Sequence, residues 1–359
     1  LPALPPDRLP GLILDWYDRH RRDLPWRMAP GVPSDPYRVW VSEIMLQQVR
    51  VETVRRYYGP FVERWPSVEA LAAAPVEEVL RHWSGMGRYA RAFNLHAAAR
   101  LVLERHGGRL PDEEEALRAL PGVGPYTAAA VLAIAFGRAA TPVDGNFERV
   151  FARLFALRDP LPAARGEIRR LAATLTPGER PGDYVQAVMD LGATVCVPRR
   201  PRCGDCPWRD ACDARALGLQ DALPAGTAKG PRPRRHAVAF LARRGGRVLL
   251  RRRPPRGLLA GMLDLPATAM RDRAWRRAEA LPDAPFDAAW RRVRGTVRHA
   301  LSNFDVEVAV MAAEADGGIP ENGADLWIEP QDAGREALST LARKLLAHAA
   351  AKGRPKAAR

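Results

Sequence analysis

Two glycines inside one nine-residue run, Leu120-Pro121-Gly122-Val123-Gly124-Pro125-Tyr126-Thr127-Ala128, restrict this chain more than any other stretch. Glu113 to Ala119 has helical composition before the run, and Pro125 suits the first position of a helix from Tyr126 to Phe136. Gly122 and Gly124 allow the positive φ that a tight turn needs. The run therefore reads as a hairpin between two helices, with backbone N–H groups free to face an anion. A DNA phosphate held in this way is positioned without any base being read. The same spacing also describes an ordinary packing element. One short helix later comes Val143-Asp144-Gly145-Asn146. A carboxylate just before a helix start is either a plain N-cap or an acid held beside bound DNA for chemistry.

At 359 residues the chain exceeds one typical core, so two domains are expected. A net charge of +15 asks for a polyanionic partner. Nucleic acid is favoured over a membrane, because no apolar run approaches a spanning length and no signal peptide is read at the N-terminus. All four cysteines fall between Cys196 and Cys212, which points to a metal site in a reducing compartment and not to a disulfide framework.

A short amphipathic helix is expected from Leu12 to Arg21, then a turn at Arg22 to Arg27. Asp35 is a natural N-cap and Pro36 a first-turn residue for a helix running to about Tyr58. Trp40, Ile44, Val51, Val54 and Tyr58 form its core stripe, while Glu43 and Gln47 share another face. The helix alone leaves Glu43 either a solvated surface acid or a desolvated one, and desolvation would keep it protonated near neutrality. Helices at Val68 to Ala73, Val76 to Trp83 and Tyr89 to His106 follow. The loop Ser84-Gly85-Met86-Gly87-Arg88 carries Met86 at its tip, a residue that either wedges between bases or packs inward. With further helices at Phe147 to Leu157, Gly166 to Leu175 and Asp183 to Gly192, residues 1–225 read as an all-α domain.

Cys196, Cys203, Cys206 and Cys212 are spaced x6, x2 and x5 among arginines and prolines. Four such thiolates hold zinc or a 4Fe-4S cube; a single x2 pair with unequal flanking gaps favours the cube over paired zinc knuckles. Residues 226–236 form a stiff basic, Pro-rich linker. Beyond it the period changes. Strands at Ala237 to Ala242 and Arg247 to Arg252, joined at Gly245-Gly246, are followed by strands at Arg294 to His299, Phe304 to Ala312 and Asp325 to Ile328. Helices fit Ala274 to Ala280 and Arg335 to His348, so residues 237–348 read as an α+β domain, with a basic tail at 349–359.

Ser42-Glu43-Ile44-Met45-Leu46-Gln47-Gln48, the glycine hairpin, Val143-Asp144-Gly145-Asn146 and the four cysteines, in this order, resemble the adenine DNA glycosylases of the MutY type. These belong to the helix-hairpin-helix glycosylases. The resemblance covers nearly the whole chain and implies a multidomain protein: an all-α helix-hairpin-helix glycosylase domain with a 4Fe-4S cluster loop at 196–212, then an α+β Nudix-like domain that recognises the lesion. It implies base excision repair, with removal of adenine mispaired with 8-oxoguanine or guanine in double-stranded DNA. A cytoplasmic monomer, nucleoid-associated if bacterial, is the accompanying expectation.

By that resemblance Glu43 is the acid that protonates a flipped adenine, and Asp144 stays ionised at its helix start to stabilise or capture the sugar cation. Tyr126 and Asn146 orient these carboxylates; Arg27 and Gln186 lie near the adenine pocket. Gln47, Gln48, Met86, Arg88, Gly122, Gly124 and Ser302 match DNA-contacting positions. In endonuclease III a hairpin lysine forms a Schiff base; here the matching position is Tyr126, which cannot, so a monofunctional glycosylase is expected. Two departures bear on lesion preference. Arg88 stands where a tyrosine is common, and Leu301-Ser302-Asn303 stands where Phe-Ser-His is usual. The acidic Nudix hydrolase signature is missing, so the second domain is not expected to hydrolyse nucleotides.

Overall fold

The computed structural model describes residues 6–226, 231–254, 257–259, 261–301, 303–315, 325–332 and 338–352. Ser302, residues 227–230 of the linker, the expected helix start at Arg335 and residues 353–359 of the tail lie outside them. The chain divides into two compact units, Leu1–Ala74 with Asn94–Ala228, and Pro75–Phe93 with Lys229–Arg359. The second unit therefore takes in a segment that the sequence assigns to the first domain.

The first unit is helical. In chain order it contains α1 (Leu9–His20), α2 (Pro36–Leu46), α3 (Val51–Arg64) and α4 (Val68–Ala73). After α5 (Val76–His82) come α6 (Ala90–His106), α7 (Glu114–Arg118), α8 (Pro125–Phe136), α9 (Gly145–Leu154), α10 (Arg165–Leu175), α11 (Pro181–Thr194) and α12 (Asp213–Ala216). Asp35 caps α2 by accepting a hydrogen bond from the Arg38 N–H at 3.1 Å, and Pro36 opens the helix, as the sequence predicts. The single helix expected from Pro36 to Tyr58 is two. It ends at Leu46, and Gln48 adopts a left-handed φ of 57°, which a continuing helix does not tolerate. Most of the expected core stripe survives the break: Trp40, Ile44, Val54 and Tyr58 are buried, while Val51, the first residue of α3, is half-buried.

Helix α2 packs on α8, α8 on α11, and α11 on both α1 and α9. Phe147, Phe151, Tyr184, Val188 and Trp208 fill the core around α9 and α11. This order brings one face of α2, the hairpin end of α8, the middle of α11 and the start of α9 together.

The second unit holds a mixed sheet in the order β3-β2-β1-β5-β4, with β6 also paired to β2. Its strands are β1 (Arg234–Arg244), β2 (Arg247–Arg252), β3 (Leu263–Asp264), β4 (Arg291–Ala300), β5 (Asp305–Glu314) and β6 (Asp325–Ile328). Short α13 (Arg277–Ala280), α14 (Thr340–Lys352) and, from the 75–93 segment, α5 complete it. Along β1, Ala237, Ala239 and Leu241 face one core while Val238, Phe240 and Ala242 face another, the alternation of a central strand covered on both sides.

Candidate active site

Glu43 lies in the middle of α2 and is 5% exposed. Burial pushes its carboxyl up to about 7; the Arg27 charge and a hydrogen bond with Tyr126 pull it back, and the Asp144 charge adds to the rise. The open choice left by the sequence thus resolves to the desolvated acid. Glu43 lines a cavity of about 50 Å³ together with Arg22, Arg27, Ser42, Tyr126 and Gln186, floored by apolar Leu46, Val51 and Ile134. As it stands the cavity holds only a few waters, so a purine must spread these side chains on entry. Tyr126 sits at the start of α8, its hydroxyl 3.7 Å from Met189 Sδ, and burial together with the Glu43 charge raises it well above the ordinary phenol range. Gln186 turns its amide N–H onto Gly182 O at 3.1 Å.

Asp144 is the N-cap of α9. Its Oδ1 accepts from the Asn146 and Phe147 N–H groups at 2.9 Å each, and its Oδ2 accepts from Asn146 Nδ2 at 2.9 Å. The helix start, where Asp144 is expected to stay ionised, is opposed by burial. Burial raises the Asp144 carboxyl above its ordinary range, against the three hydrogen bonds and the Arg149 charge. The two carboxylates remain unlike: Glu43 has one opposing hydrogen bond and Asp144 has three. Asn146 is itself held, since its Oδ1 accepts from Arg149 Nη2 at 2.9 Å.

The hairpin keeps one of its two expected positive-φ glycines. Gly122 has φ of 80°, and a Cβ there would come within 2.8 Å of Asn94 Cβ. Gly124 instead has an extended φ of −93° with open space where its Cβ would be. Its missing side chain leaves room for backbone approach and is not a conformational need. Gln47, expected to face DNA, donates through Nε2 to Gly122 O and Thr127 Oγ1, both at 3.1 Å, and so ties the α2 end to the hairpin. Gln48 beside it is exposed. In the 84–88 loop Met86 is 5% exposed and its N–H donates to Trp83 O, so the apolar tip folds inward and does not project as a wedge. Arg88, with φ of 51°, is exposed, as is Gly85 in the same loop.

All four cysteines line one small cavity of about 30 Å³ with Arg153, Arg202, Arg209 and Arg215. Among the described residues no three His, Cys, Asp or Glu side chains converge closely enough to hold a single metal ion. Four thiols lining one cavity fit the four-cysteine ligand set of such a cube. The surrounding arginines fit the negative charge of a thiolate-bound cluster. Trp208, whose Nε1 donates to Leu9 O at 2.9 Å, pins this loop to α1.

Four residues of this architecture escape a reading of motifs. Arg149 Nε donates to Cys196 O at 2.7 Å while its Nη2 reaches Asn146 Oδ1 and Gly192 O. Arg153, 2% exposed, donates to Cys196, Val197, Pro198 and Leu223 carbonyls. Two arginines four apart on α9 were the available signal. Arg22 and fully buried Asp190 form an ion pair, and for Asp190 the signal was an acid within the apolar run Ala187 to Leu191.

Residues 41–176 match the model of the HhH-GPD superfamily base excision DNA repair proteins, and 237–348 match the NUDIX domain. The chain is 34% identical over 397 residues to the adenine DNA glycosylase of Homo sapiens, covering 93% of this chain and 72% of that protein. It is 41% identical over 215 residues to the adenine DNA glycosylase of Mycolicibacterium smegmatis, covering 60% of this chain and 71% of that one. Among solved structures, a thermostable thymine-DNA glycosylase aligns with a TM-score of 0.53 at 33% identity, over 59% of this chain and 97% of that chain.

Proposed function

The chain belongs to the adenine DNA glycosylases, enzymes of base excision repair that hydrolyse an N-glycosyl bond, and from that premise we propose that it removes adenine mispaired with 8-oxoguanine or guanine, without strand cleavage. The observation that carries the mechanism is a carboxyl held near 7 at the wall of a cavity, with a second, triply hydrogen-bonded carboxylate close enough for its charge to act on the first.

A flipped adenine entering the cavity meets Glu43, which gives a proton to its imidazole ring and turns a poor leaving group into a neutral one. Tyr126 and Arg27 hold the Glu43 carboxyl while it does so. As the bond lengthens, the deoxyribose takes on oxocarbenium character, and Asp144 stabilises or captures that cation from its capped position on α9. Water then completes the hydrolysis. Tyr126 at the hairpin has no amine to form an imine, which supports a glycosylase without lyase activity. Cys196, Cys203, Cys206 and Cys212 would hold a 4Fe-4S cube. That group would supply a covalent anchor for the basic 196–212 loop.

The NUDIX-matching domain supports discrimination of the opposite base, with Ser302 as its candidate contact and Arg88 of the 84–88 loop as a further one outside that domain. The protein acts as a monomer on double-stranded DNA. The test is adenine release from duplexes that differ only in the base opposite adenine, developed with alkali to reveal abasic sites. Cleavage strongest opposite 8-oxoguanine, and no borohydride-trapped adduct, is the expected result; equal release opposite thymine would overturn the substrate assignment.

A further inference from the structure

Asp190 belongs to none of the motifs, yet its side chain is 0% exposed and is crowded by cations. Its Oδ1 accepts from Arg22 Nε at 2.5 Å and from Arg27 Nη2 at 2.9 Å. Its Oδ2 accepts from Arg27 Nη1 at 2.5 Å and from the Arg22 N–H at 3.0 Å. One carboxylate thus grips the Arg27 guanidinium with both oxygens and fixes the Arg22 backbone and side chain at the same time. The Arg27 side chain is itself 5% exposed. It lies along the Tyr17 ring at 5.9 Å, and its Nη1 also faces Arg22 O at 3.5 Å.

We propose that Asp190 is a positioning residue for base excision: from α11 it clamps Arg27 and Arg22 in a buried triad and so holds the Arg27 guanidinium against Glu43 in the adenine cavity. The inference rests on Glu43 being the acid. Arg22, Arg27 and Glu43 all line that cavity, and Asp190 stands behind it without lining it. A cationic group next to a general acid is a hazard, because a bare guanidinium would draw the proton off Glu43 before adenine arrives. Asp190 offsets that charge while its two-oxygen grip keeps the guanidinium in place.

The charged and titratable groups around the triad come from every packed element. They are Tyr17 and Arg21 on and after α1, Tyr126 on α8, Asp183 and Asp190 on α11, and Asp144 before α9. Burial lowers the Arg27 affinity for its proton, and the Asp190 hydrogen bond and charge more than restore it. Arg27 therefore stays charged, and what varies with sequence is how much of its field reaches Glu43.

The experiment is single-turnover adenine release from adenine:guanine and adenine:8-oxoguanine duplexes across pH, with duplex Kd and thermal melting measured in parallel. The wild-type rate should fall as pH rises through the Glu43 ionisation. Asp190→Asn should move that limb to lower pH, costing about tenfold in rate above the limb for each pH unit moved, with duplex Kd unchanged because Asp190 is sealed from DNA. Arg22→Met, which leaves Asp190 wholly to Arg27, should move the limb the other way. In an Arg27→Gln background, Asp190→Asn should shift the limb no further.

A folded Asp190→Asn with an unmoved limb, or a shift that persists without Arg27, overturns the proposal. Should Asp190→Asn fail to fold, an unmoved limb in Arg22→Met overturns it instead. Glu43→Gln serves as the separate control. Turnover that survives in that variant defeats the assignment of the acid, a result distinct from any behaviour of Asp190.

Discussion

Glu43 is held in a place that suits its proton and not its charge, and the same fact sets both its chemistry and its cost to the fold. A carboxyl raised from its ordinary value to about 7 on folding binds its proton more tightly in the native state than in the unfolded chain. Stability is therefore full below the unfolded value and declines as pH rises toward 7, by roughly 3 kcal/mol in all. Glu43→Gln removes the ionisation and keeps the shape. It should abolish adenine release, leave mispair affinity nearly intact, and melt at a higher temperature than wild type at pH 8 but not at pH 4; calorimetry at the two pH values checks this, and an equal difference at both would contradict it. Arg88 offers the second residue-level prediction. It is exposed with a left-handed φ of 51°, and a guanidinium can stack on a base or pair with a phosphate, whereas a tyrosine ring stacks. Arg88→Tyr should retain duplex binding and change the ratio of release from adenine:8-oxoguanine and adenine:guanine. An unaltered ratio removes Arg88 from lesion choice.

Helix α9 carries the clearest link between distant parts of the first unit. Asp144 caps its start, Asn146 holds Asp144, and Arg149 joins Asn146 to the Gly192 and Cys196 carbonyls. Arg149→Ala removes the guanidinium from Asn146 Oδ1 and Gly192 O in a half-buried setting, while Cys196 O keeps Arg153, so stability should fall by about 2 kcal/mol. Release rate should fall by more than duplex affinity does, because Asn146 loses its anchor but the hairpin is untouched; parallel losses in both would mean that Arg149 acts on DNA directly. Helices were legible where local signals fix them: Asp35-Pro36 opens α2, and the 68–73 helix matches its apolar spacing. The break after Leu46 was not, because nothing in Gln47-Gln48-Val49 forbids a helix; tertiary bonds from Gln47 to the hairpin favour the turn. Hairpin β1–β2 was legible from Gly245-Gly246, whereas the parallel pairing of β1 with β5, Arg234 beside Asp305 through Arg243 beside Glu314, joins strands 71 positions apart and leaves no local trace. The site followed the same rule. Glu43 and Asp144 stand in motifs, but Asp190 and Arg149 carry only weak local signals, and their partners become plain once α11 and α9 are packed.

At the scale of the whole molecule, the chain enters its second unit twice, first at Pro75–Phe93 and again from Lys229 onward. The contact that makes this concrete is at Gly261, whose φ of 68° already favours glycine and where a Cβ would fall 1.7 Å from Phe93 Cε2. Only a residue without a side chain lets the 261 backbone lie on that ring. The two segments of the second unit, 75–93 and 229 onward, are thus held to each other by packing within that unit. A specific protease site placed after Gly226 should, on cleavage, give two fragments that still elute together, because the C-terminal piece retains its packing on residues 75–93 of the N-terminal piece. Gly261→Leu in the same cleavable protein drives a side chain into Phe93 and strains a left-handed backbone, and it should let the fragments separate. Gel filtration after cleavage reads both outcomes. Separation of the unsubstituted fragments would mean that Phe93 and Gly261 do not hold the unit together, and the boundary would then fall at the linker, where composition alone places it.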